Sequence, residues 1–97
     1  MPTYIALLNY TQQGIKEIEK SPERIDAARK AIEAAGGKML SFHVTMGQYD
    51  GVVVLDLPND NVAATVALSV AKLGNARLET MRAFTEDEFA AIAGRLG

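Results

Sequence analysis

The chain has 97 residues, of which 48% are hydrophobic and 23% charged, with a formal net charge of -2 and no cysteine. This length predicts a single domain over residues 1–97, because independent cores typically need about 50–200 residues each. The lack of cysteine excludes disulfides and thiolate chemistry, and His43 as the sole imidazole excludes a multi-histidine metal or haem pocket within one chain. We therefore expect neither a metal ion nor another cofactor.

The charge pattern does not favour nucleic acid or a membrane as a partner. Ten Lys and Arg residues are scattered among twelve Asp and Glu, without the basic stripe that neutralises phosphates. Uncharged stretches such as 51–55 and 61–71 are shorter than the roughly 20 apolar residues that span a bilayer. The amino-terminal residues lack the regions of a signal peptide, which predicts a cytoplasmic location.

The first half of the chain predicts a strand followed by a helix. Residues 3–10 are rich in apolar and aromatic side chains and precede a breaker-rich segment, as in a buried strand. Residues 15–18 allow a short helical turn. A serine cap and a proline at Ser21-Pro22 begin a helix over 22–36, and Gly36-Gly37 ends it.

The second half predicts a hairpin, a helix, a strand and a last helix. Strand-like runs at 38–46 and 51–57 are joined by residues 47–50, and the hairpin dipeptide Asp50-Gly51 favours their antiparallel pairing. Apolar residues then recur at helical spacing from Val62 until Gly74. Residues 76–84 form a fourth strand candidate. The last helix opens with a Thr-x-x-Glu capping box at Thr85 and has an inward face of Phe89, Ile92 and Leu96.

This order of elements predicts an α+β fold with a ferredoxin-like β-α-β-β-α-β core, a four-stranded antiparallel sheet and an extra C-terminal helix. Both long helices then pack on one face of the sheet. The strands carry apolar residues on both sides, and residues 61–71 form a helix without charge on any face. Either a second subunit or the last helix must cover these surfaces.

His43 is the candidate catalytic residue. A four-residue hairpin loop places His43 opposite Val54, whereas a two-residue loop places it opposite Pro58. In both registers Asp56 is the diagonal neighbour of His43, roughly 7–8 Å away at Cα. A histidine oriented by a carboxylate can act as a general acid or base. The alternative is a histidine hydrogen-bonded at a subunit interface without a catalytic role.

The candidate ligand-binding residues are Tyr49, Asp50, Asp56 and Arg82. A tyrosine at the mouth of a cavity can donate its hydroxyl to a bound carbonyl or phenol, although Tyr49 and Asp50 also suit a tight turn. The Arg82 head either extends into solvent or lies beside a cavity. The sequence leaves open which face of the fourth strand its charged residues occupy.

Four motifs resemble the GYD domain family over essentially the whole chain. They are Thr11-Gln12-Gln13-Gly14, Ser21-Pro22-Glu23-Arg24, Met46-Gly47-Gln48-Tyr49-Asp50 and the segment from Leu73-Gly74-Asn75 through Phe84-Thr85. The eponymous triad differs, because Gln48 precedes Tyr49-Asp50 and the glycine lies one place earlier. The resemblance implies a protomer of the dimeric α/β-barrel type, in which two sheets pack together, and a family without an established biochemical function.

Three functions follow as hypotheses. The first is a homodimer or higher homo-oligomer that binds a small organic molecule, either between the sheet and the helices or between subunits, with His43, Tyr49, Asp50 and Asp56 nearby. The second is a cofactor-independent oxygenase or isomerase of the superfamily that the resemblance implies, with His43 as base and Tyr49 or Arg82 as electrophilic partner. The third is a structural or regulatory oligomerisation module.

Overall fold

A computed structural model describes residues 1–97 and contains four strands and four α-helices. The elements in chain order are β1 (Thr3–Tyr10), α1 (Gln12–Lys16), a 3-10 turn (Ile18–Lys20), α2 (Ser21–Ala34), β2 (Lys38–Val44), β3 (Gly51–Asp56), α3 (Asp60–Leu73), β4 (Ala76–Ala83) and α4 (Glu86–Gly94). Every element expected from the sequence is present. The predicted ends of β2, β3 and β4 run one or two residues too far.

The four strands form one antiparallel sheet in the order β2-β3-β1-β4. This order, with α2 and α3 as the crossover helices, is the ferredoxin-like arrangement that the sequence predicts. β1 is central and pairs with β3 on one side and β4 on the other. The fold class inferred from the pattern of elements is therefore confirmed.

The helix ends follow the local chemistry of the sequence. Asn59 caps α3 by accepting a hydrogen bond from the backbone N–H of Val62, and Gly74 ends the helix with a φ of 83°, which favours glycine. Thr85 and Glu88 form the predicted capping box at the start of α4. Proline lies in the first turn of α2, and the helix begins at Ser21 and ends at Ala34, close to the predicted 22–36.

The core lies between the sheet and the two long helices. It contains Tyr4 and Ala6 of β1 and Val53 and Leu55 of β3, with further contributions from the helices in Ile32 and Ala63. Because side chains alternate along a strand, the residues between these core positions point to the other side of the sheet. The sheet thus has one face covered by α2 and α3.

The other side of the sheet, which we call the open face, is covered by no helix of this chain. It contains Thr3, Ile5, Leu7 and Asn9 of β1, Val52, Val54 and Asp56 of β3, Lys38, Ser41 and His43 of β2, and Arg77, Glu79, Met81 and Ala83 of β4. Its central aliphatic residues are half-buried and Met81 is exposed. The smallest dimension of the molecule is 18 Å, consistent with one sheet and one layer of helices.

Helix α4 projects from the end of β4 with most of its apolar side exposed, and Ile92 on that side is half-buried. Phe89 and Leu96 are 63% and 82% exposed. The molecule is consequently elongated, with a longest dimension of 52 Å. The alternative that the last helix covers the open face is therefore wrong for the single chain. None of the helices has the length and apolar content needed to cross a membrane.

Candidate functional site

His43 lies on the open face, in a register that differs from both predicted ones. It pairs with Val52, and β2 contains an irregularity between Met39 and Ser41. The connection between β2 and β3 has six residues, 45–50, rather than four or two. The tight turn at Asp50-Gly51 does not form, because Asp50 is bound to the end of β1 and Gly51 already belongs to β3.

The predicted His43–Asp56 pair is wrong for the same reason. Asp56 is four residues along β3 from the partner of His43, roughly 13 Å at the rise of a strand. Asp56 faces Lys38 on one side and Thr3 on the other, and its Oδ1 accepts a hydrogen bond of 2.8 Å from the Thr3 hydroxyl. The side chain of His43 is exposed and makes no hydrogen bond within this chain, while its backbone belongs to the ladder with β3. Its catalytic role stays a prediction.

Asp50 joins the β2–β3 loop to the central strand. Its carboxylate Oδ2 accepts a hydrogen bond of 2.9 Å from the backbone N–H of Tyr10, and its own N–H donates to the Leu8 carbonyl at 2.8 Å. Thr45 closes the loop, because its N–H donates to the Asp50 carbonyl and its hydroxyl to the Tyr49 carbonyl. The carboxylate of Asp50 is thus committed to holding the loop.

Tyr49 connects this loop to the other edge of the sheet. Its hydroxyl donates a hydrogen bond of 2.7 Å to Oε2 of Glu79, an open-face residue of β4 that pairs with Leu7. This hydrogen bond, with a smaller contribution from desolvation, raises the pKa of Tyr49. Tyr49, in the β2–β3 loop, and His43, on β2, therefore both lie on the open-face side of the sheet.

Arg82 belongs to the opposite face. It pairs with the buried Tyr4, its guanidinium carbon lies 4.5 Å from the centre of the Phe84 ring, and its Nη atoms donate to the Thr3 carbonyl and to Glu88. These contacts hold the junction between β4 and α4. The structure therefore separates Arg82 from His43 and Tyr49, and the predicted residues do not form one cluster.

The first and last family-like motifs interlock. The N–H of Thr11 donates to the Asn75 carbonyl at 3.1 Å, and its hydroxyl donates to the Gly74 carbonyl. Gln13 reaches the same segment through a hydrogen bond of 2.8 Å to the Asn75 side chain. Gly14 lies so close to this backbone that a Cβ there would be 1.9 Å from the Asn75 carbonyl oxygen. These motif residues join α1 to the α3–β4 connection.

An apolar cavity of about 470 Å³, which we call the interhelical groove, lies between α2 and α3. The first hypothesis allowed a site between the sheet and the helices but predicted other residues for it. Its floor is the helix-covered face of the sheet, and its walls include Ala28, Ala31 and Val66. Hydrophobic residues make up 19 of its 24 lining positions, so it favours an apolar occupant. The sequence feature that could have indicated the groove is the run of alanines on the inner side of α2. Larger side chains at these positions would fill the space between the helices.

The polar lining of the interhelical groove is confined to a few side chains. Ser21 and Tyr10 share a hydrogen bond of 2.6 Å at one end, and Arg24 beside them is paired with Glu17 at 3.0 Å. No candidate residue named from the sequence lines this groove. No three His, Cys, Asp or Glu side chains form a group that could hold a metal ion.

Comparisons with known proteins agree with the fold and the motifs. The family model described as the GYD domain matches residues 4–93. A glutamine synthetase and cystathionine beta-lyase binding protein from Thermus thermophilus is 30% identical over 84 residues, which cover 86% of this chain and 88% of the relative.

Two solved structures share the fold at lower identity. The structure of FFRP-DM1 is similar with a TM-score of 0.59 and 17% identity, covering 87% of this chain and all of the other. The Thermus thermophilus protein TTHA0845 has a TM-score of 0.52 and 22% identity, covering 88% of this chain and 95% of the other.

Proposed function

The chain belongs to the GYD domain family, and from that premise we propose that it is a cytoplasmic, homo-oligomeric binding domain whose partner is a metabolic enzyme. The relative from Thermus thermophilus carries this proposal, because its name states that it binds glutamine synthetase and cystathionine beta-lyase. That relative aligns over most of both chains. The partner class transferred here is thus another protein.

The outer side of α3 is the surface that best suits a protein partner. Asn61, Ala64 and Leu68 recur at helical spacing, are exposed and carry no charge. Leu68 is 70% exposed, and contact of so much apolar surface with water is energetically unfavourable. An uncharged helical face around one large aliphatic side chain is typical of a docking surface with a central anchor.

Binding of the purified protein to glutamine synthetase from its own host tests this proposal. We expect the Leu68→Glu variant to weaken binding at least about tenfold, as expected when a charge replaces an apolar anchor. Lys72→Glu changes a charge on the same helix, one turn away, and should leave the affinity within about threefold. The same titration with cystathionine beta-lyase covers the second named partner. If neither enzyme binds the wild-type protein, the proposal fails.

Self-assembly through the open face is the second part of the proposal. Ile5, Leu7, Val52 and Val54 form a continuous aliphatic strip across the two central strands. These residues are only half-buried in the single chain, so a second open face would remove further apolar area from water. The geometry of two packed sheets agrees with the assembly that the family resemblance implies.

A small organic molecule held between two open faces is the second candidate function. The observation that favours it is the mixture of polar and aliphatic residues there, with His43 and Ser41 beside Val52 and the Tyr49–Glu79 pair above Leu7. Native mass spectrometry of protein purified from its host tests this candidate. An adduct of constant mass that is lost in Tyr49→Phe would support it, and a bare assembly would contradict it.

A further inference from the structure

We propose that α4 inserts its apolar side into the interhelical groove of a second copy of the chain, so that two copies exchange their C-terminal helices. This interface differs from the open face and does not depend on the proposed binding of an enzyme. It brings together two features of the fold, namely a helix with an exposed apolar side and an apolar groove of complementary shape.

The apolar side of α4 is largely exposed in its own chain. Phe89 and Ile92, with Leu96 two residues beyond the end of the helix, follow the spacing of a helix that binds in a groove. Phe89 and Leu96 are largely exposed, and Ile92 is half-buried. A helix of nine residues is marginal in water, since isolated helices shorter than about 12–15 residues are barely stable. Packing of this side against another surface would therefore stabilise α4.

The interhelical groove has the complementary shape and chemistry. Small side chains of α2, among them Ala28 and Ala31, and Ala35 after its end face the branched side chains of α3 across an opening of about 470 Å³. Small residues leave space that large apolar side chains from outside can fill. Side chains that enter this space would gain the dispersion contacts of a packed core.

The connection to β4 is too short for α4 to reach the groove of its own chain. Ala83 is fixed in the ladder opposite Thr3, which leaves only Phe84 and Thr85 before the helix. Two extended residues span at most about 7 Å. The groove opens between α2 and α3, and a helix with its side chains is about 10–12 Å across, which exceeds this reach. A helix from another copy is free of this constraint.

The start of α4 is also held in its projecting orientation. The Arg82 guanidinium stacks on Phe84 and contacts Glu88, which completes the capping box with Thr85. The backbone hydrogen bond from Thr85, followed by smaller contributions including that of Arg82, lowers the pKa of Glu88. These contacts favour a helix that extends away from its own core, as exchange between two copies requires. Reciprocal exchange by two copies is a closed, symmetric arrangement.

Because the chain has no cysteine, single cysteines can test the exchange without interference. Two differently tagged variants, Ile92→Cys and Ala28→Cys, are coexpressed, purified through both tags and treated with a short bismaleimide. Exchange predicts an intermolecular cross-link between α4 and the groove, identified by peptide mass. The matched control pairs Ile92→Cys with Lys30→Cys, an exposed position on α2 outside the groove. Its cross-link should be at least about tenfold weaker.

Other outcomes would overturn the proposal. A cross-link of Ile92→Cys to Val54→Cys at equal or greater yield would place α4 on the open face instead. A small molecule in the groove of the purified protein, with no cross-link, would assign the groove to a ligand. Phe89→Asp provides a second readout that leaves the sheet intact, and we expect it to lower the mass of the assembly while circular dichroism of the core is retained. An unchanged mass would contradict helix exchange.

Discussion

Gly14 is the residue at which this backbone leaves the least space for a side chain. An added Cβ would lie 1.9 Å from the Asn75 carbonyl oxygen and 3.2 Å from the Tyr10 ring. The Asn75 carbonyl cannot simply move, because it accepts the hydrogen bond from the Thr11 N–H. We expect Gly14→Ala to lower the free energy of unfolding by about 3 kcal/mol, in the range of overpacked sites.

Chemical denaturation with Gly94→Ala as the matched control measures this effect. Gly94 ends α4, and a Cβ there meets no atom within 4 Å. Alanine has the higher helix propensity, so this control should be neutral or stabilising by less than about 1 kcal/mol. Equal stabilities of the two variants would show that the α1 contact relaxes freely, contrary to the expectation.

The contribution of Tyr49 to the stability of the fold depends on pH. Its hydrogen bond to Glu79 raises its pKa in the folded protein above the ordinary value of about 10. The unfolded chain therefore loses this proton first, and the stabilisation is complete below about pH 10 and is lost as pH rises through the folded pKa. Tyr49→Phe removes it. We expect the stability difference between wild type and Tyr49→Phe to shrink from pH 9 to pH 11.

Urea unfolding of both proteins across that interval tests the direction. Tyr4, whose pKa is also raised, chiefly by its hydrogen bond to Asp60, is present in both and cancels in the difference. A difference that grows with pH would mean that the pKa of Tyr49 is lowered, which would contradict the Glu79 contact.

Among the elements, α4 depends most on its own capping. Thr85 accepts from the Glu88 N–H at 3.1 Å, and the Glu88 carboxylate accepts from the Thr85 N–H at 2.9 Å. Thr85→Ala removes one half of this box and should destabilise the helix by about 1 kcal/mol. Hydrogen exchange should accelerate in residues 86–94 and stay unchanged in β1. Uniform acceleration over both would show that α4 unfolds only together with the core.

The elements were predictable because each carries its own signals, whereas the contacts between them were not. The caps at Asn59 and Thr85 and the glycine at Gly74 fix helix ends through local hydrogen bonds. The register of β2 depends instead on Asp50 binding β1, a contact between residues forty positions apart. A loop longer by two residues than expected separated His43 from Asp56. The local sequence pattern does not encode the contact of Asp50 with β1. It therefore predicts the fold correctly but places His43 wrongly beside Asp56.

The single chain leaves four surfaces uncovered, and they face in three directions. The open face lies on one side of the sheet, the groove and the outer side of α3 lie on the other, and α4 extends beyond the end of β4. A thin two-layer domain with so much apolar area outside its core has a small share of its surface buried. The proposed assembly would offset that deficit, and the separate positions of these surfaces would allow one copy to bind several partners at once.

A substitution on the open face can distinguish the proposed sheet-to-sheet interface from helix exchange and from enzyme binding. A lysine at Val54 is tolerated in the single chain, where this position is half-buried, but it would place a charge in the centre of a sheet-to-sheet interface. We expect Val54→Lys to weaken that interface at least about 100-fold and to lower the assembly mass about twofold by light scattering.

Leu68→Glu should leave the mass unchanged while it weakens enzyme binding. Combining Val54→Lys with Phe89→Asp should give a folded monomer, because both interfaces between copies are then removed. A Val54→Lys protein with the mass of the wild type would mean that the sheet faces do not meet.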